Sequence, residues 1–287
     1  MTSLSLPFLR MPALSRSTKR ALLFAVLPLL VIVLAAIFAP LLTQHDPTFI
    51  SPRKRLAPPG ATFWFGADAL GRDLYARVIY GARVSLTIGF LVCILALAIG
   101  TFFGLISGVS RAADAVMMRV MDGFMAIPGI LLAVTLVSLF GASLFSVVLA
   151  IAFPDIPRVT RIVRSVVLSA REEPYVEAAM GVGVPRWKVV FRHILPNCIA
   201  PLTVQGTYIF ASAILVEAVL GFLGVGYPPS IPTWGNILAE GRAHFQAAPW
   251  TIVFAGAVRS ITVLCVNGLG DVLRAWLDPK FAPKEQG

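Results

Sequence analysis

The chain is 287 residues long, 57% hydrophobic and 13% charged, with a mean hydropathy of +0.84. An ordinary soluble domain carries roughly 25% charged residues, so this chain cannot coat a globule of its own size and reads as an integral membrane protein. Its net charge of +10 would suggest nucleic acid in a soluble protein; here the cytoplasmic bias of Lys and Arg and their attraction to anionic lipid account for it.

A membrane helix needs about 20 mostly apolar residues. The expected fold is all-α and polytopic, with about six transmembrane helices. After a cytoplasmic tail, residues 1–20, the first span is an anchor over 21–42. It follows Arg10, Arg16, Lys19 and Arg20. A signal-peptide core is about 7–15 residues and ends in a small-residue cleavage site; this longer run without one reads as an uncleaved anchor. An outer loop occupies 43–84 and a permease core 85–276. The later spans are expected at 85–109, 116–140, 144–156, 198–222 and 251–273, and a cytoplasmic tail closes the chain at 277–287. N-in, C-in topology places sixteen Lys and Arg on the inner side and seven on the outer, as the positive-inside rule prefers.

Within these spans, Ala96, Gly100, Gly104 and Gly108 recur every four residues. One helix face is nearly free of side chains, and a neighbouring backbone can approach it closely. Two readings stay open: a tight, sliding interface with a partner helix, or routine packing within one bundle. Arg119 and Asp122, three apart, are expected to pair along one helix face. Cys93, Cys198 and Cys265 lie in or beside apolar runs and read as buried free thiols. No metal-ligand spacing is present, and no metal site is expected.

A polar insert, residues 171–197, interrupts the core on the cytoplasmic side. Pro174 suits a first helical turn. Tyr175 to Val182 reads as a short helix, Gly183 as its left-handed terminator, and Trp187 to His193 as a second helix. Such a knob is either a docking element that fills a groove in another protein or an interfacial helix lying on lipid. The outer stretch Tyr227 to Asn236 is proline-rich, and Trp234 in it reads as an interface anchor or as part of a rigid cap.

Glu177-Ala178-Ala179, Gly183 and Leu195-Pro196 resemble the EAA signature of bacterial ABC-importer permeases. His193 stands where the general pattern has Ile. "FGADALGRDLYARVIYGARVSLTIG" (65–89), "DAVMMRVMDGFMAIPGILLA" (114–133), "EAVLGFLGVGYPPSIPTWGNIL" (217–238) and "NGLGDVLRAWLDPK" (267–280) extend the likeness over most of the chain. Together they resemble the C-type subunit of the dipeptide, oligopeptide and nickel family. The resemblance implies a coupling helix between spans four and five that sits in a cleft of an ATPase subunit. It implies a homologous B-type permease, two cytoplasmic ATPases that use ATP and Mg, and a periplasmic or lipid-anchored binding protein. It places the chain in the bacterial inner membrane. The implied cargo is a di- or oligopeptide, with nickel chelates, glutathione or another small solute as alternatives. An ion-coupled secondary transporter or channel is the rival from another class.

The chain has no G-x-x-x-x-G-K-[ST] loop to cradle ATP phosphates, and no GxSxG or HExxH. No catalytic residue and no cofactor of its own is expected. Glu217 and Arg259 fall inside predicted spans. The family resemblance has an apolar residue at position 259, so this Arg is a departure. An ionisable group at that depth implies a partner or water, and Glu217 and Arg259 are expected either to pair or to reach the translocation pathway.

Overall fold

Inside a bilayer there is no water for backbone N–H and C=O groups, so an apolar chain satisfies them within helices. The computed structural model, which describes residues 16–277, has no strand among the described residues, only one isolated bridge between Ala67 and Asp73. The predicted tail residues 1–15 and 278–287 lie outside the described residues.

Helix α1 (Arg16–Ile37) leads through α2 (Ala39–Leu42) into a loop containing a 3-10 turn, Pro52–Lys54. Helix α3 (Leu74–Val109) starts at Asp73, whose side chain accepts from the Tyr75 N–H at 3.0 Å. It ends at Ser110, which also starts α4 (Arg111–Met125) by accepting from the Ala113 N–H at 3.4 Å. Then come α5 (Gly129–Phe140), α6 (Leu144–Ala152), α7 (Asp155–Arg171), α8 (Pro174–Gly181) and α9 (Arg186–Val189). A π turn, Val190–Ile194, joins α9 to α10 (Leu195–Phe222). Helix α11 (Trp234–Gly241) and α12 (Trp250–Leu277) complete the chain.

By length and composition, four helices among the described residues can cross a membrane: Lys19–Ile37, Leu74–Val109, Arg186–Phe222 and Trp250–Leu277. Two expected spans need correction. The third, 116–140, is not one straight helix, because α4 and α5 meet at 86°; counted as one bent span they make a fifth. Pro128 is the cause: it has no N–H to give, and it pushes Ile127 out of helical geometry. The fourth, 144–156, stops at Ala152 and resumes as α7 after Phe153 and Pro154. The two breaks adjoin. Phe124 and Phe153 meet edge to face with centroids 4.7 Å apart, and a Cβ on Gly129 would lie 3.1 Å from Pro154 Cβ. The loop expected at 43–84 is also shorter, since α3 begins at Leu74. Leu74 and Val78 are buried beneath Ile237 and Ala255, and Arg77 is admitted there because acids neutralise it.

The main core lies among α3, α6, α7 and α10, around residues such as Ile88, Val92, Val147, Val163 and Ile209. Between helices in lipid the hydrophobic effect contributes little, and close van der Waals packing decides the arrangement. The α3–α7 contact shows this. A Cβ on Gly100 would lie 2.5 Å from Val159 Cβ, and one on Gly104 2.6 Å from Val163 Cβ. Val167 fills the place beside Gly108 in the same way. Both helices advance four residues per contact, so α3 and α7 run parallel. The stripe expected at Ala96, Gly100, Gly104 and Gly108 is therefore packed within the chain.

Candidate functional site

The polar insert is built on the end of α7. Arg171, its last residue, donates through Nη1 to the Gly108 carbonyl oxygen at 2.8 Å. A cation there satisfies an orphan carbonyl at the end of α3 and offsets its negative dipole end. Helix α8 follows after a short break. It stops with two backbone bonds: Val184 N–H to Ala179 O at 3.1 Å and Gly183 N–H to Met180 O at 3.0 Å. This is a Schellman motif, and its C′ residue must turn left-handed. Gly183 does so, with φ +83°.

Val176, Val189 and Ile194 are buried and tie α8, α9 and the π turn to the main core. Asn197 closes the knob: its Nδ2 donates to the Tyr175 hydroxyl at 2.9 Å and the His193 carbonyl at 2.8 Å. His193, the departure from the general pattern, lies against the Tyr175 ring at 6.3 Å between centroids. Glu177 and Ala178 are exposed and Ala179 half-buried. Leu195 begins α10, and Pro196 sits in its first turn, directly after the π turn. The exposed apolar residues are Tyr175, Met180, Val182 (81%), Trp187 (62%) and Phe191. Val176 and Val189 face inward, so the outer contact face falls to Val182, Trp187 and Phe191.

At the opposite end of α3 the chain builds a buried charge network. Asp68 accepts from Arg72 Nε at 2.6 Å and from Arg77 Nη1. Glu240 accepts from Arg72 Nη2 at 2.5 Å and from Arg77 Nη1 at 2.6 Å. Arg77 is 1% exposed. Burial pushes the Asp68 carboxyl up, but Arg77 and the Arg72 N–H and guanidinium outweigh it and hold the acid below the usual carboxylate range. The four charges sum to zero, so Arg72 and Arg77 add little net positive charge to this end of the molecule. The sequence signal was available, an acid four residues before Arg72 and a distant Glu240, but nothing local joins them.

Trp234 is fully buried rather than interfacial. Its indole N–H donates to the Val78 carbonyl at 3.1 Å and its backbone N–H to Ser85 Oγ at 3.2 Å. Helix α11 thereby folds back as a cap over α3 and α10. Glu217, 0% exposed, lies beneath its start and takes the Ser85 hydroxyl at 3.4 Å. The expected direct pair with Arg259 is not formed. Among the described residues, neither Glu217 Oε1 nor Arg259 Nε has a hydrogen-bond partner. A Cβ on Gly235 would lie 3.1 Å from Glu217 Oε1, so the α11 backbone crowds one side of the carboxylate. The expected Arg119–Asp122 pair is also replaced: α7 lies beside α4, and Arg161 Nη2 reaches Asp122 Oδ1 at 2.5 Å.

A bundle of long apolar helices, with a polar two-helix knob at one end and a folded cap at the other, defines a multi-pass membrane protein. The family described as the binding-protein-dependent transport system inner membrane component matches residues 96–283. The N-terminal TM domain of oligopeptide transport permease C matches residues 17–59. The chain belongs to the binding-protein-dependent ABC-importer permease family. It is similar to the "Probable peptide ABC transporter permease protein y4tQ" of Sinorhizobium fredii, at 51% identity over 86% of this chain and 84% of that one. The "Dipeptide transport system permease protein DppC" of Alkalihalophilus pseudofirmus is 45% identical over 87% of this chain and 82% of its own. Among solved structures, the inward-facing MetNI methionine ABC transporter matches in fold, with a TM-score of 0.56 at 19% identity over 71% of this chain and 98% of that one.

Proposed function

We propose that the chain forms half of the membrane pathway of a peptide importer, with a homologous permease supplying the other half. Loop 171–197 is the point at which cytoplasmic ATPase subunits act on it, so topology is N-in and C-in. A binding protein delivers substrate at the α11 cap. ATP and Mg belong to the ATPase subunits, and this chain performs no catalysis. The names of the relatives support a peptide cargo, with nickel chelates, glutathione or another small solute as the alternative.

The observation that carries this reading is the mechanical continuity of the knob. Its exposed apolar face, Met180 to Trp187, is held on buried Val176 and Val189. Helix α8 joins α7, and α7 is locked to α3 through Val159, Val163 and Val167. A push on the loop therefore moves the α3–α7 pair as one rod. Opposite conformations then follow as alternating access.

Co-purification tests it. The unsubstituted chain is expected to retain an ATPase subunit after solubilisation, whereas Gly183→Pro loses it or breaks the link between ATP hydrolysis and uptake. Full binding and coupling in Gly183→Pro would remove the loop from this role.

A further inference from the structure

Helix α7 carries an exposed charged stripe along a stretch where α3 and α12 expose no charge. Val159 packs beside Gly100, about nine residues from the Val109 end of α3, or about 14 Å at 1.5 Å per residue. The hydrocarbon layer is about 30 Å thick and α3 has 36 residues, so Arg158 lies well along a spanning helix and not at its end, and Arg161 and Ser165 descend toward the coupling loop. Arg158 and Arg161 side chains are 46% and 44% exposed, and Asp122 is 61% exposed. At mid-length on α3 and α12 the exposed residues carry no charge: Phe90, Ile94 and Phe102 on α3, Ser260, Ile261, Leu264 and Asn267 on α12.

The charged groups on this stripe are paired. Arg158 Nη1 reaches Asp155 Oδ1 at 2.9 Å, and Arg161 Nη2 reaches Asp122. The Arg158 guanidinium also lies 5.4 Å from the centre of the exposed Tyr208 ring of α10. Exposed ion pairs at mid-bilayer depth are costly against lipid and are found where water reaches them.

We propose that Arg158, Arg161 and Ser165 of α7, with Asp122 of α4 and Tyr208 of α10, line the water-filled part of the translocation route nearest the coupling loop. There the guanidiniums and carboxylates take the charged ends of a zwitterionic solute in succession. Because each cation already has an acid partner, a passing carboxylate or ammonium exchanges with an existing pair and is not trapped. The solute's identity rests on the peptide reading; the wet stripe does not.

The test uses the whole importer in inside-out vesicles, with Ser165→Cys or the lipid-face control Phe102→Cys and a membrane-impermeant thiosulfonate. The reagent attacks thiolate, which needs water. Ser165→Cys is expected to react about tenfold faster than Phe102→Cys, above the background of the unsubstituted chain. Adding Arg161→Gln should lower the preference for an anionic over a cationic reagent by about threefold, the effect of one nearby charge in water. Equal labelling of positions 165 and 102 would overturn the water-lined stripe. An unchanged reagent preference would overturn its role in meeting charged ends. Failure of the unsubstituted importer to take up any dipeptide, with the labelling pattern intact, would sink the peptide reading alone.

Discussion

Gly183 is the residue on which the geometry of the two-helix knob turns. Its φ of +83° costs an L-residue about 1–2 kcal/mol, although no atom lies within 4 Å of where a Cβ would stand. Gly183→Ala should therefore act through backbone strain alone. Amide exchange at Val184, whose N–H closes the Schellman motif, should speed by about five- to thirtyfold, while exchange in α3 stays unchanged. Unaltered exchange at Val184 would mean the turn relaxes at no cost. At the other end, Asp68 gives a pH prediction. Its carboxyl is held below the usual range by Arg77 and Arg72, so its stabilising contribution is present above the unfolded-state pKa and is lost as pH falls through the folded one. Thermal melts from neutral pH downward should show this loss in the unsubstituted chain and a flatter acid limb in Asp68→Asn. Parallel curves would remove Asp68 from the acid response.

At the scale of elements, the α3–α7 contact makes a paired prediction. Gly104 faces Val163 Cβ and the Thr160 carbonyl at 2.6 and 2.8 Å from where a Cβ would stand. Gly104→Val must push the helices apart, at a cost of about 1–3 kcal/mol for overpacking. Gly123 in α4 has nothing within 4 Å, so Gly123→Ala should be neutral or gain about 0.5–1 kcal/mol of helix propensity. Thermal denaturation in detergent separates the two, and equal melting points would contradict the packing described. The periodicity of the small residues was legible before the structure, and so was the need for close contact. The identity of the partner was not, because Val159, Val163 and Val167 are merely apolar until α7 is laid parallel to α3. The bend at Pro128 was hidden for a related reason. The run 116–140 is continuous in hydropathy, and hydropathy carries no direction. The ion pair misread at Arg119 shows the same limit: local spacing names a possible partner, while Arg161 came from another helix.

Across the whole molecule, a buried cap and an exposed knob lie at opposite ends of α3. The cap holds a neutral set of four charges and a buried Trp234; the knob presents Val182 and Trp187 outward. This asymmetry suits a chain that is gripped at one end and reshaped along its length. On the proposed reading, loop, rod and spans move together and the loop is where work enters. Cross-linking from Val182→Cys in the assembled importer tests that claim most directly. Val182 projects from the knob, outside its internal contacts. A short bifunctional reagent should join it to an ATPase subunit in high yield, and the yield should change when ATP is bound. Cross-links to lipid or to no protein, with transport intact, would contradict the account.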